Sequence, residues 1–437
     1  MTHRFGASVA AIAAAGLAIR LGYVLVAKRD EPLSGDALAF FIQGHAVADG
    51  HGFANPGLLA FRNVVQPAAD HPPLFTLYLA LFDVLGVTTP LGQRLAMVPL
   101  GVATIVVVGF VGRRVAGERV GLVAAGLAAV SPTLWVNDAQ VLSESLAILS
   151  VALVVWTALT LWSRPGWTAA AVFGAACGVA ALVRSETLLL APAIGVPLII
   201  TMRDARARDR VALLATVAVA AVAVMAPWIV RNATALERPV PLGTGVDITL
   251  ANSNCASTYT GPLLGWWDIR CGTGPDVHAD QSVQAKAERR RALEFVGDHL
   301  DRVPVVVAAR VGRVWGLFRP RQTVTLMVDE GRERSVGYAA LAATYALGVL
   351  AAAGAVQLRR ARAVPLTPLV APIVMATLSA ALAFGNPRYR SSAEVALVVL
   401  AAVAVAGLRL GPARRQPLCD RPRPEPPPLE AVAGRPE

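Results

Sequence analysis

Apolar runs recur along almost the whole chain, with arginines gathered in the short loops between them, and this alternation leaves one class of fold open. The runs lie at about 7–27, 90–112, 120–136, 140–162, 167–183, 186–201, 211–230, 335–357, 364–384 and 392–411. Most approach the roughly 20 residues that a helix needs to cross hydrocarbon. Composition agrees: 55% of the 437 residues are hydrophobic and 16% are charged, against about 25% charged in an ordinary soluble domain. The pattern predicts an all-α polytopic membrane protein of about ten transmembrane helices. A first loop carrying interfacial helices and a larger loop of mixed structure should lie on the outer face.

Two further apolar segments need a decision. His71 to Gly86, HPPLFTLYLALFDVLG, is short for a span, and Val303 to Phe318 contains Arg310 and Arg313. Counting either as a crossing turns the clusters Arg113, Arg114, Arg119 or Arg359, Arg360, Arg362 outward, against the rule that basic loops stay in the cytoplasm. Both are therefore read as interfacial helices. The first run, which lacks a small-residue cleavage site, is read as an uncleaved span, and both termini are placed in the cytoplasm. The net charge of +11 is shared among these loops, so orientation in a membrane accounts for it and no nucleic-acid partner is expected.

Four regions follow. Residues 1–231 form a transmembrane core that includes the outer loop 28–86. Residues 232–334 form an extracytoplasmic region with the interfacial helix 303–318, and 335–411 form the last transmembrane helices. Residues 412–437, rich in proline and arginine, read as a disordered cytoplasmic tail. Of four cysteines, only Cys255 and Cys271 share a loop, and they pair only if that loop faces an oxidising compartment.

This topology gathers ionisable residues at the outer helix ends, where charge beside lipid is costly unless paired or used. They are Asp36 after the first span, Asp70 and His71 before the short apolar helix, and Asp138 and Glu144 at the second outer turn. Arg184 and Glu186 stand at the third, Arg231 ends the seventh span, and Arg388 and Arg390 lie in the last outer loop. Each has a plainer reading. Asp36 also suits the cap of a helix that runs to about Ala48. Arg184 and Glu186 suit the ends of a helical hairpin, and the other arginines suit helix ends. Glu144 falls about six residues, roughly 9 Å, inside its span, where a carboxylate either pairs for packing or serves function. His45 and His51 are read as structural or solvated. Trp266 and Trp267 suit either stacking on a sugar or anchoring at headgroups. There is no zinc spacing and no glycine-rich phosphate loop.

The segments GDALAFFIQGHAVADGHGF, HPPLFTLYLALFDVLG, SPTLWVNDAQVLSESLAI, GVAALVRSETLLLAP, APWIVRNATALERPVPL and GNPRYRSS, in that order, resemble the GT-C class of membrane glycosyltransferases. Within it they are most similar to bacterial relatives of the dolichyl-phosphate-mannose protein mannosyltransferases. The resemblance implies inverting transfer of one sugar from a polyprenyl-phosphate donor to a hydroxyl on a glycan, lipid or protein acceptor, at the outer face of the cell membrane. It puts the family's first-loop acid, as general base, on Asp36 and its second-turn acid on Glu144, with Asp138 beside it. His71, Arg184, Arg231, Arg388 and Arg390 are then the candidates for holding the donor phosphate. Relatives often carry two adjacent acids in the first loop, whereas here Ala37 follows Asp36. No cofactor is therefore assigned, and a divalent metal is left open. A transporter or flippase of lipid-linked sugars is the alternative; it calls for ionisable residues at mid-membrane, and here they stand at the helix ends.

Overall fold

The computed structural model describes residues 2–202, 206–274, 276 and 278–407. The expected tail at 412–437, with Cys419, lies outside them. Every regular element among the described residues is a helix, and their one strand-like pairing is the isolated bridge between Ala54 and Pro67. The larger loop, expected to mix structure types, is built from helices Gly245–Ser253, Ala256–Tyr259 and Gln281–Asp298 joined by turns.

Six helices are long and apolar enough to cross a membrane: Arg4–Ala27, Pro90–Ala116, Glu144–Ser163, Ala207–Ala235, Arg334–Ala361 and Pro387–Ala406. The expected span at 120–136 is broken. Glu118–Val130 and Pro132–Ala139 meet at 55°, because proline cannot donate to the preceding turn and its ring crowds it. Counted as one span, this pair makes seven. The three other expected spans are the shorter helices Trp167–Ala181, Ser185–Ile200 and Thr367–Leu382. A helix of 15 residues, such as Trp167–Ala181, rises only about 22 Å, so helix length among the described residues does not by itself reach ten spans. The short segment after His71 forms Pro73–Val84, and the arginine-bearing one forms Val303–Val314.

The main core is aliphatic and lies where these helices cross, around Val108, Val155, Phe173 and Leu400. Close approach depends on small residues. A Cβ on Gly354 would stand 1.9 Å from the Leu400 carbonyl oxygen, so Arg334–Ala361 and the last helix touch backbone to backbone. A second, smaller core seats the first loop: Ala37 and Phe40 of helix Gly35–Ala48 pack with Phe75 and Leu79 of Pro73–Val84 and with Met97. That seat carries Asp36 on a rigid support rather than on a free loop.

The large loop is tied to the first. The Gln281 amide donates to Asp70 and accepts from Ala69 N–H, and Gln66 donates to the Ala279 carbonyl. Cys255 and Cys271 are joined by a disulfide with a sequence separation of 16. Cys271→Ser is expected to lower stability by about 3 kcal/mol, the loop-closure cost of a ring of this size. Thermal unfolding with and without the substitution checks it, and two free thiols in unreduced protein by mass spectrometry would overturn it.

Candidate active site

Asp36 occupies the first turn of helix Gly35–Ala48. The helix N-cap is Ser34, in extended backbone and without a side-chain capping bond, so Asp36 is not the capping residue. Its carboxylate is 48% exposed and accepts from Arg388 Nη1 at 2.8 Å. Arg388 is the hub of the site. Its Nε donates at 2.5 Å to Glu144 Oε1, and its Nη1 lies 3.7 Å from Glu330 Oε2. Glu144 is 1% exposed, and the same Oε1 also accepts from Arg184 Nη1 at 3.2 Å, while Arg184 Nε reaches Glu186 at 2.7 Å. Three acids and two arginines from four separate parts of the chain thus form one network under a carboxylate open to solvent.

The local sequence explains these positions. Pro387 starts a tight 3₁₀ turn, Pro387–Ala393, and Asn386 caps it by accepting from Arg388 N–H. The same Asn386 donates to Glu330 at 2.7 Å. Glu144 opens its helix rather than lying within it, because residues 137–139 form a 3₁₀ turn instead of continuing helix. The expected depth of roughly 9 Å is therefore not observed. Arg184 follows helix Trp167–Ala181 in extended backbone and stacks over the Tyr389 ring at 5.5 Å.

His71 joins the site from the start of the short apolar helix, its ring 4.4 Å from that of Phe40. Packing around Asp36 opposes its ionisation, but the Arg388 guanidinium and then His71 outweigh this and hold its carboxyl below the usual range. Two other carboxyls, Asp70 and Glu330, go the other way. Burial pushes Asp70 up against the pull of His71 and Gln281, and burial pushes Glu330 up against Arg388 and Arg332. Asp70 and Glu330 therefore keep their protons to higher pH than Asp36, a separation of the kind that acid–base chemistry uses.

Three expected site residues go elsewhere. Arg231 donates to the carbonyls of Ala68 and Phe53 and packs on the Trp228 ring, so it braces the first loop. Arg390 is spent on Glu394 at 2.8 Å and on the Val314 carbonyl. Asp138 is buried with Arg20, 2.7 Å away, and accepts from Ser145; Arg20 is a charge inside the first span, and this carboxylate together with the carbonyls of Gly16, Ala128 and Ala129 offsets the cost of its burial. His45 bridges Asp83 at 3.3 Å and the Thr88 carbonyl, a structural role, and His51 is exposed. Trp266 is buried against Phe384 and Arg313, which fits anchoring of its loop.

Sequence reasoning missed Glu330 and Arg332. Their signal was present: charged residues at 329–334 directly before an apolar run follow the same pattern that singled out the others. As for a metal, no three His, Cys, Asp or Glu side chains among the described residues are grouped to hold one, and Arg388 takes the inner side of Asp36. The residues present do not form a ligand set.

Residues 70–230 match the family model described as dolichyl-phosphate-mannose-protein mannosyltransferase. The matched segment includes His71, Glu144 and Arg184, and Asp36 and Arg388 lie outside it. No curated protein matches the chain. Among solved structures, the archaeal oligosaccharyltransferase AglB of Archaeoglobus fulgidus, in complex with an inhibitory peptide and a dolichol-phosphate, is similar at 14% identity and TM-score 0.53 over 92% of this chain. An apo oligosaccharyltransferase from the same organism gives 13% and 0.51 over 91%. ArnT from Cupriavidus metallidurans, bound to undecaprenyl phosphate, gives 16% and 0.49 over 92%. The chain spans 50% of each oligosaccharyltransferase and 60% of ArnT. It thus shares the helical fold of the two oligosaccharyltransferase structures, and its segment 70–230 matches the family model described as dolichyl-phosphate-mannose-protein mannosyltransferase.

Proposed function

We propose that the chain transfers a single sugar from a polyprenyl-phosphate donor to a hydroxyl acceptor at the outer face of the membrane, with inversion. The observation that carries this reading is the half-exposed Asp36 carboxylate held over a network of the buried Glu144 with the partly buried Arg184 and Arg388. Asp36 takes the acceptor proton as the acceptor oxygen bonds to the anomeric carbon. The bond from that carbon to the phosphate oxygen breaks, and the phosphate leaves with the electron pair. Arg388, Arg184 and His71 stand where that growing charge needs donors, and guanidinium groups suit phosphate geometry.

A carboxylate stabilised by arginine is a weak base, and the geometry offers a remedy. Arg388 binds Asp36 through Nη1 while Nε stays on Glu144. When the donor phosphate engages Nη1, the hold on Asp36 loosens and its basicity rises as substrate arrives. Catalytic pKa values work best when brought toward the operating pH. The prenyl chain stays in lipid, which accounts for a site at the bilayer surface.

Membranes containing the chain, incubated with labelled polyprenyl-phosphate mannose, arabinose or glucose, are expected to move label from one of these donors to a product of inverted anomeric configuration. Transfer with retention would remove the single-displacement scheme, and no transfer from any donor would remove the reading.

A further inference from the structure

We propose that Lys28 is a positioning residue for the transfer site, acting through the loop 329–333. The inference rests on the reading above. Lys28 follows the first long helix and is 1% exposed, yet its ammonium has three partners: it ion-pairs with Glu31 and with Glu333, and donates to the Gly331 carbonyl at 2.6 Å. Tyr23 also donates to Glu333, and the Gln140 amide donates to the Gly331 carbonyl at 2.7 Å. The Lys28 segment is fixed in turn, since Arg94 donates to the Lys28 and Glu31 carbonyls at 2.9 and 2.7 Å. A buried ammonium is costly unless its surroundings use it fully, and here every acceptor lies on 28–31 or on 329–333.

What the latch holds is the informative part. Around Gly331, whose φ of +80° reverses the chain, the loop divides its contacts. Gly331 and Glu333 face Lys28. Glu330 faces Arg388 and Asn386, and Arg332 donates to Asn137 at 2.9 Å. Lys28 therefore sets where Glu330 stands against Arg388, and Arg388 sets where Asp36 stands. Nothing in this chain of contacts requires Lys28 to touch a substrate.

The test uses the full chain in lipid nanodiscs, as wild type, Lys28→Met, Glu330→Gln and the double variant. Glu333→Gln, which keeps an amide acceptor, serves if Lys28→Met fails to fold. In Lys28→Met, amide hydrogen exchange at 329–333 is expected to speed up about tenfold while helix Glu144–Ser163 keeps its protection. The kcat for transfer is expected to fall about tenfold through misplacement of the site, with donor KM within about twofold. The double variant is expected to be no slower than the slower single one, because both changes break the same connection. Unchanged exchange at 329–333 overturns the latch whether or not the chain transfers sugar. Faster exchange with unchanged kcat, or effects that multiply, overturns the positioning role. A wild type inert toward every polyprenyl-phosphate donor removes the transfer reading and this role with it, while exchange still judges the latch.

Discussion

Asp36→Asn is expected to lower the transfer rate about 10²- to 10⁴-fold, the usual contribution of a positioned general base. The amide is isosteric and keeps an oxygen for Arg388 Nη1, so the fold and donor binding should survive while the proton acceptor is lost. The loss should fall on kcat, with KM for the donor close to wild type. A rate within a few-fold of wild type, in protein of normal unfolding midpoint, would remove Asp36 from the mechanism. The pH profile gives a second reading. Arg388 and His71 hold the free-enzyme carboxyl below its usual range. The ionised base therefore persists as pH falls, and the acid limb of kcat/KM should lie below about 3.9, the ordinary value for aspartate. An acid limb well above that value would assign the essential base to another group, of which Asp70 and Glu330, both pushed up by burial, are the neighbours to test.

How much of this was legible beforehand depends on whether a feature is local. The helices were, because each run of apolar residues declares itself without reference to the rest. So was the short Pro73–Val84 helix, too brief to span and opened by a proline that suits a helix start. The meeting of Asp36, Glu144, Arg184 and Arg388 was legible only as a shared side of the membrane, since topology sorts residues by face and says nothing of distance on that face. On that basis Arg231 and Arg390 fall in one group with Arg388. All three stand at helix ends, but Arg390 has Glu394 four residues on, one helical turn away, and Arg231 has carbonyls of the first loop that no local pattern announces. Arg20 and Asp138, 118 residues apart, show the same limit, because a buried ion pair between distant helices leaves no periodic trace. The break at Pro132 has a local signal in the proline itself, but the hydrophobicity that runs on across it predicts one unbroken span.

Arg388→Met should be the most damaging single change, because it removes the one cation shared by Asp36, Glu144 and Glu330. Glu144 is then left 1% exposed with only the longer 3.2 Å contact to Arg184. Breaking a buried pair from one side costs about 3–5 kcal/mol, since the stranded charge keeps its desolvation penalty. Thermal unfolding in detergent should show a large fall in midpoint, together with loss of transfer. Loss of activity alone would leave open whether the arginine holds the fold or the phosphate, and the second substitution separates these. In Arg388→Met/Glu144→Met both ends are apolar, and such replacements are often neutral or stabilising. The double variant should therefore recover about 2 kcal/mol or more over the single one, a coupling of the size expected for residues in one network, and should still transfer no sugar. A single variant as stable as wild type would mean the network contributes nothing to the fold. A double variant that regains transfer would mean Arg388 serves only to neutralise Glu144, and the donor phosphate must then be held by Arg184 and His71 alone.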